Sequence, residues 1–137
     1  MENSNISNFI PYGRHQITDE DIKSVLNVLK SSFLTQGDAV PIFEKGVSEK
    51  CNVKFAIAVN SATSALHLSC LSLDLSPNDI VWTTPISFVA SANCALYCGA
   101  KIDFVDIDEE SGLLSIEKLE NKLRIAENKG SLPKIVI

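Results

Sequence analysis

No stretch of 18 or more apolar residues occurs anywhere in the 137-residue chain, so no transmembrane helix is expected. Basic residues are in the minority. Twelve Lys+Arg against 17 Asp+Glu leave a net charge of −5, which argues against a general binder of nucleic-acid backbones. Low-complexity stretches are missing too, and apolar residues run along the whole chain, which excludes disorder. The six glycines form neither a G-x-G-x-x-G fingerprint nor a G-x-x-x-x-G-K-[ST] loop, which leaves a dinucleotide or P-loop domain without support. Cys51, Cys70, Cys94 and Cys98 make no C-x-x-C pair, so neither a zinc site nor a disulfide framework is expected. They read instead as small buried thiols. Met1–Asn8 lacks the basic start and apolar core of a signal peptide, which points to the cytoplasm.

What is present is the material of one globular domain with a single core. Residues 1–16 read as an irregular leader, broken by Pro11 and Gly13. Thr18 then opens a helix with Asp19, Glu20 and Asp21 in its first turn, where negative charge suits the helix dipole. Ile22, Val25, Leu26 and Leu29 recur at helical spacing and predict a packed face. Leu34-Thr35-Gln36-Gly37 breaks that helix, and a second begins near Pro41. From there strands and helices alternate. Phe55–Val59, Ile80–Thr83, Ile102–Asp106 and Lys134–Ile137 read as strands; Ser61–Leu75, Ser87–Tyr97 and Ile116–Glu127 read as helices. Such alternation predicts βαβ units, and so an α/β fold with a mainly parallel sheet and helices on its faces. The run Pro133–Ile137 stops among apolar, β-branched residues, which reads as the front part of a longer protein.

Two strand-to-helix crossings draw attention. At Val59-Asn60-Ser61-Ala62-Thr63-Ser64-Ala65 a helix N-terminus offers free N–H groups, with hydroxyls on Ser61, Thr63 and Ser64 and a small residue at 62. That composition suits a phosphate monoester. An ordinary helix cap by Asn60 or Ser61 accounts for the same residues. At Trp82–Ser91 an aromatic side chain, Trp82 or Phe88, is available to lie against a planar ligand, although both fit a core equally well. Asp103, Asp106, Asp108, Glu109 and Glu110 form an acidic strand end without calcium-loop spacing, and so read as a solvated turn. His15 and His67 have no Ser or Cys partner in a triad-like motif.

Pro11-Tyr12-Gly13-Arg14, Ser32-Phe33-Leu34-Thr35-Gln36-Gly37, Phe43-Glu44, Val59 through His67, Thr84-Pro-Ile-Ser-Phe88 and Asp103 through Asp108 together resemble the opening of a DegT/StrS-type nucleotide-sugar aminotransferase. The resemblance runs from about Tyr12 to Ile137. It implies the aspartate-aminotransferase-like fold (PLP fold type I), with residues 1–16 as an N-terminal segment and 17–137 as the N-terminal portion of the PLP-binding large domain. Pyridoxal 5′-phosphate (PLP) is the implied cofactor. Ala62, Thr63 and Ser64 would hold its phosphate, and Phe88 would stack on its ring. Tyr12, Ser32, Phe33, Leu34 and Thr35, with Ala62, would line the nucleotide-sugar pocket. The implied reaction moves an amino group from glutamate to C4 of a UDP-linked 4-keto-6-deoxy-N-acetylhexosamine in cell-surface glycan biosynthesis, in a homodimer. The family's catalytic lysine, and the aspartate that faces the pyridine nitrogen, follow the region seen here, so no catalytic residue is expected within this chain. Lys54, Lys101 and Lys134 flank strands without a cofactor role. A sugar dehydratase of the same family, or a non-catalytic phosphate-binding or subunit-docking module, would share these motifs.

Overall fold

The computed structural model describes residues 11–137. The first ten residues of the predicted leader lie outside that range, and positions 11–17 form no helix or strand. The chain divides into two compact units, one ending at Ala58 and one spanning Val59–Ile137. No composition shift or linker marks this division in the sequence.

The first unit holds α1 (Asp19–Leu29) and α2 (Ala39–Cys51). A reciprocal cap starts α1. The Asp21 N–H donates to Thr18 Oγ1 at 3.3 Å, and the Thr18 N–H donates to Asp21 Oδ2 at 2.8 Å, which satisfies two donors that a helix end otherwise leaves open. The predicted packed face of α1 is not covered. Ile22, Val25, Leu26 and Leu29 are all exposed, and neither helix contains a buried residue. Two helices alone carry too little surface to bury an apolar stripe of this length. The predicted strand Phe55–Val59 is likewise not formed. Its backbone instead hangs on α2, where the Ala58 N–H donates to Glu44 Oε1 at 2.8 Å.

The second unit carries the sheet. α3 (Ala62–Ser72), β1 (Ile80–Thr83), α4 (Ala90–Tyr97), β2 (Lys101–Phe104), α5 (Ile116–Lys129) and β3 (Ile135–Val136) follow in order. The strands form a parallel sheet in the order β2-β1-β3, with Thr83 opposite Phe104 and Val81 opposite Ile135. Strand alternation splits the core into two layers. Val81 joins Cys70, Leu75, Cys94, Ala95 and Ala100 of the α3–α4 side. Trp82 joins Val105 and Ala126 on the α5 side. Full burial of a residue such as Val81 contributes about 1.5–3 kcal/mol, so β1, apolar on both faces, anchors the unit. The turn after α4 passes through Gly99, whose φ of +74° is left-handed and where a Cβ would stand 3.1 Å from Pro77 Cγ. Among the described residues, no helix is long and apolar enough to cross a membrane.

Candidate functional site

The loop-to-helix crossing at Asn60–Ser64 is built as a cap with donors left over. Ser61 is the N-cap of α3, and its Oγ accepts from the Ser64 N–H at 3.1 Å. The Ser64 hydroxyl donates to Asn60 Oδ1 at 2.7 Å and lies 3.0 Å from Ser61 Oγ. Two of the three hydroxyls are therefore committed to the cap. Among the described residues, the N–H groups of Ala62 and Thr63 and the Thr63 hydroxyl have no partner. This is the ordinary condition of a first helical turn, and with the dipole behind it such a turn favours an anion. The residues present fit a phosphate group: two N–H donors, one uncommitted hydroxyl, and Ala62 too small to block approach. Asn60 is the member of this cluster that sequence reading assigned only to capping; it orients Ser64 instead.

The two aromatic candidates separate cleanly. Trp82 is 3% exposed, sits in the core under Lys122 (Nζ 4.7 Å from the ring centroid) and is a structural residue. Phe88 is 74% exposed on the loop between β1 and α4, so a ring face is free to receive a planar ligand. The same loop bounds a cavity of about 280 Å³ lined by Thr83, Ser87, Phe88, Ser91 and Phe104 among others. Ser87 and Ser91 pair at 3.0 Å between their hydroxyls. Thr83 is 1% exposed, and its Oγ1 is the one fully buried side-chain oxygen or nitrogen without a partner among the described residues. Its hydroxyl was not singled out in the sequence, where Thr83 reads as one more β-branched strand residue.

In the first unit, the connection between α1 and α2 bounds a groove of about 750 Å³. Ser32, Phe33 and Leu34 line it, whereas Thr35 does not, and Tyr12 stands fully exposed away from it. The turn that shapes the groove depends on Gly37. A Cβ there would lie 2.7 Å from the Phe33 carbonyl oxygen, and the preceding Gln36 is left-handed at φ +57°.

The remaining polar candidates have structural roles. Asp103 pairs with Lys122 at 2.7 Å, and that ammonium, followed by the Phe104 N–H, holds its carboxyl below the usual range. Asp106 is lowered in the same way by Lys118 at 2.8 Å, and Asp108 by the Ser111 hydroxyl and N–H that it accepts. The acidic strand end is thus a paired, solvated turn. His67 rests half-buried with its ring edge-on to Tyr97 at 5.3 Å, and His15 is exposed. Cys70 and Cys94 are buried, Cys98 is half-buried and Cys51 is exposed, so the expectation of four buried thiols fails at Cys51. Burial, with the Cys94 thiol beside it, pushes Cys70 up to about 11, which keeps it an inert thiol.

The chain is 41% identical over 124 residues to the UDP-4-amino-4,6-dideoxy-N-acetyl-beta-L-altrosamine transaminase of Campylobacter jejuni, a match covering 90% of this chain and 32% of that protein. Its structure resembles Helicobacter pylori PseC, described as an aminotransferase involved in the biosynthesis of pseudoaminic acid, with a TM-score of 0.75 and 35% identity over 92% of this chain and 33% of that one. It also resembles a Streptococcus pneumoniae protein described as a sugar aminotransferase and solved in its PLP form, with a TM-score of 0.74 and 28% identity over 82% of this chain and 29% of that one. The chain thus spans about a third of the length of the relatives it matches. The family model matches residues 15–130, most of the chain, and so the chain belongs to the DegT/DnrJ/EryC1/StrS aminotransferase family.

Proposed function

We propose that this chain supplies the phosphate cup and the ring-stacking wall of a PLP-dependent nucleotide-sugar aminotransferase. The whole protein would move an amino group from glutamate to C4 of a UDP-linked 4-keto-6-deoxy-N-acetylhexosamine, in the making of pseudaminic acid. The observation that carries this reading is the first turn of α3, with the free N–H groups of Ala62 and Thr63 and the free Thr63 hydroxyl. Identity of 41% to the altrosamine transaminase supports the choice of sugar.

When bound, PLP supplies the electron sink on which amino-group transfer between an amino acid and a keto sugar depends. The chain's own residues bind and orient. Ala62 and Thr63 donate N–H groups to the phosphate, and the Thr63 hydroxyl adds a third donor. Ser64, tied to Asn60 and Ser61, fixes the shape of that turn. Phe88 covers one face of the ring and keeps water from it. Ser32, Phe33 and Leu34 hold part of the nucleotide sugar in the groove of the first unit. Among the described residues no cation lines that groove, so the diphosphate's charge is met elsewhere in the whole protein. The assignment of Tyr12 and Thr35 to the substrate rests on the family resemblance alone. So do the homodimer, the cytoplasmic location and the placing of residues 17–137 in the large domain.

The test is direct. The complete gene product, given the UDP-linked 4-keto sugar, PLP and glutamate, is expected to release one 2-oxoglutarate for each amino sugar formed. Sugar conversion without 2-oxoglutarate would assign it to the dehydratases of the family, and no conversion would refute the reading.

A further inference from the structure

Among the described residues, a single side chain holds the backbone that leads into the first turn of α3. Residues 54–60 form no strand, and Phe55 and Ile57 are exposed, so neither a ladder nor burial fixes their course. The one hydrogen bond that their backbone makes, among the described residues, runs from the Ala58 N–H to Glu44 Oε1 at 2.8 Å. That bond differs from its neighbours. It spans 14 residues, whereas the other side-chain hydrogen bonds of the first unit close over four or fewer. Glu44 is half-buried on α2, and Lys45 beside it pairs with Glu49, which leaves Glu44 without a cation among the described residues. Its carboxylate is committed to the chain instead, in one of the stronger kinds of hydrogen bond.

We propose that Glu44 is a positioning residue for the cofactor phosphate: by holding Ala58 it sets where the chain enters the α3 cup. The inference rests on the reading of that cup as the PLP site. Asn60, which orients Ser64, lies two residues beyond Ala58, and the N-cap Ser61 lies three beyond. Three residues reach at most about 10 Å, so little slack separates the held N–H from the donors of Ala62 and Thr63. The cap fixes the shape of the turn, and the tether fixes its starting point. A phosphate held by two N–H groups and a hydroxyl needs both, because hydrogen bonds weaken steeply when their donors swing out of line. Glu44 acts through the backbone of residues 58–61 and is not itself a donor to the phosphate.

The complete protein is titrated with PLP by absorbance, and its cofactor-free form is melted alongside. Glu44→Met keeps the length and helix propensity of the side chain but not its acceptor. It should raise the PLP dissociation constant about three- to tenfold, the upper figure being close to the loss of a whole hydrogen bond to a charged group. Glu44→Gln keeps an acceptor oxygen, though a neutral one, and should stay within about twofold of wild type. Glu49→Ala removes a carboxylate from the same helix away from the bond, and should leave PLP affinity unchanged. The decisive readout is the double variant Glu44→Met/Thr63→Val. A displaced cup has less of Thr63 left to lose, so the double variant should fall short of the product of the two single losses by about threefold or more. A lower thermal midpoint with unchanged PLP affinity, or losses that simply multiply, would make Glu44 a structural residue and overturn the proposal. So would Glu44→Gln as weak as Glu44→Met. The two readings fail separately. Coupled losses in a protein that forms no 2-oxoglutarate refute the transaminase alone. An active transaminase weakened for PLP by Thr63→Val and not by Glu44→Met refutes the tether alone.

Discussion

Truncating Phe88 and Trp82, each to alanine, should give opposite results in the complete protein, because the structure places one ring in the open and the other in the core. Phe88 is 74% exposed, so Phe88→Ala forfeits little burial, and its thermal midpoint should move no more than an ordinary surface substitution, about 0.5 kcal/mol or less. Trp82 is 3% exposed and packs on Val105 and Ala126. Trp82→Ala opens a cavity there at a cost of about 3–5 kcal/mol. It also removes the ring beneath Lys122, a contact worth about 0.5–2 kcal/mol more. Cofactor affinity should reverse the order. Aromatic pairing contributes about 0.5–1.5 kcal/mol beyond area burial, so Phe88→Ala should raise the PLP dissociation constant by about two- to twelvefold. A cofactor titration followed by absorbance, beside thermal unfolding of the cofactor-free protein, reads both quantities. A Phe88→Ala protein that melts as early as Trp82→Ala while binding PLP normally would refute the stacking wall.

Thr63→Val should weaken PLP about tenfold or more in the same titration, since a hydrogen bond to a charged acceptor is worth about 1.5–3 kcal/mol; an unchanged constant would leave Thr63 as a plain helix residue. Gly37→Ala puts a methyl 2.7 Å from the Phe33 carbonyl oxygen, so the turn must open and the groove change shape. UDP binding measured calorimetrically should weaken while PLP affinity holds, and unchanged UDP binding would detach the groove from the substrate. Acidification should destabilise the second unit through Asp79, Asp103 and Asp106, all lowered by their hydrogen-bond partners. Lowered carboxyls contribute stability that is present above their unfolded value of about 3.9 and is lost as pH falls through the folded values. Thermal midpoints should therefore be level from pH 7 to 5 and drop below about pH 4, with Lys122→Met removing the share of Asp103; a midpoint level down to pH 3 would show that these exposed pairs carry nothing, as solvent screening allows.

Much of the second unit was legible because its signals are local. Ile80–Thr83 reads as a strand with the bounds it has, since four β-branched or aromatic residues lie between turn signals. Thr18 announces the start of α1, though the reciprocal bond with Asp21 is seen only in the structure, and Gly130, left-handed at φ +63°, ends α5 two residues beyond the expected limit. The errors fall where neighbours decide. Phe55–Val59 has the composition of a buried strand, yet a strand needs a partner to complete its ladder; among the described residues none pairs with it, and Glu44 takes up one of its N–H groups instead. The spacing in α1 predicts an apolar stripe but not that it is exposed, because periodicity reports a face and not what covers it.

At the candidate site the same division holds, with a consequence for how each residue was found. Ser61, Thr63 and Ser64 look equivalent in sequence, and only geometry separates the two that close the cap from the one left to donate. Trp82 and Phe88 were indistinguishable by composition and differ because β1 ends at Thr83. A residue inside the strand takes its place in a sheet face, while one five positions beyond is on a loop and free of the core. Thr83 lies at that boundary. Its side chain shares the sheet face of Val81 by strand alternation, and so is buried with the core, yet it is the last residue of the strand and borders the cavity on the rim. A threonine there is costly as packing, because its hydroxyl is buried without a partner.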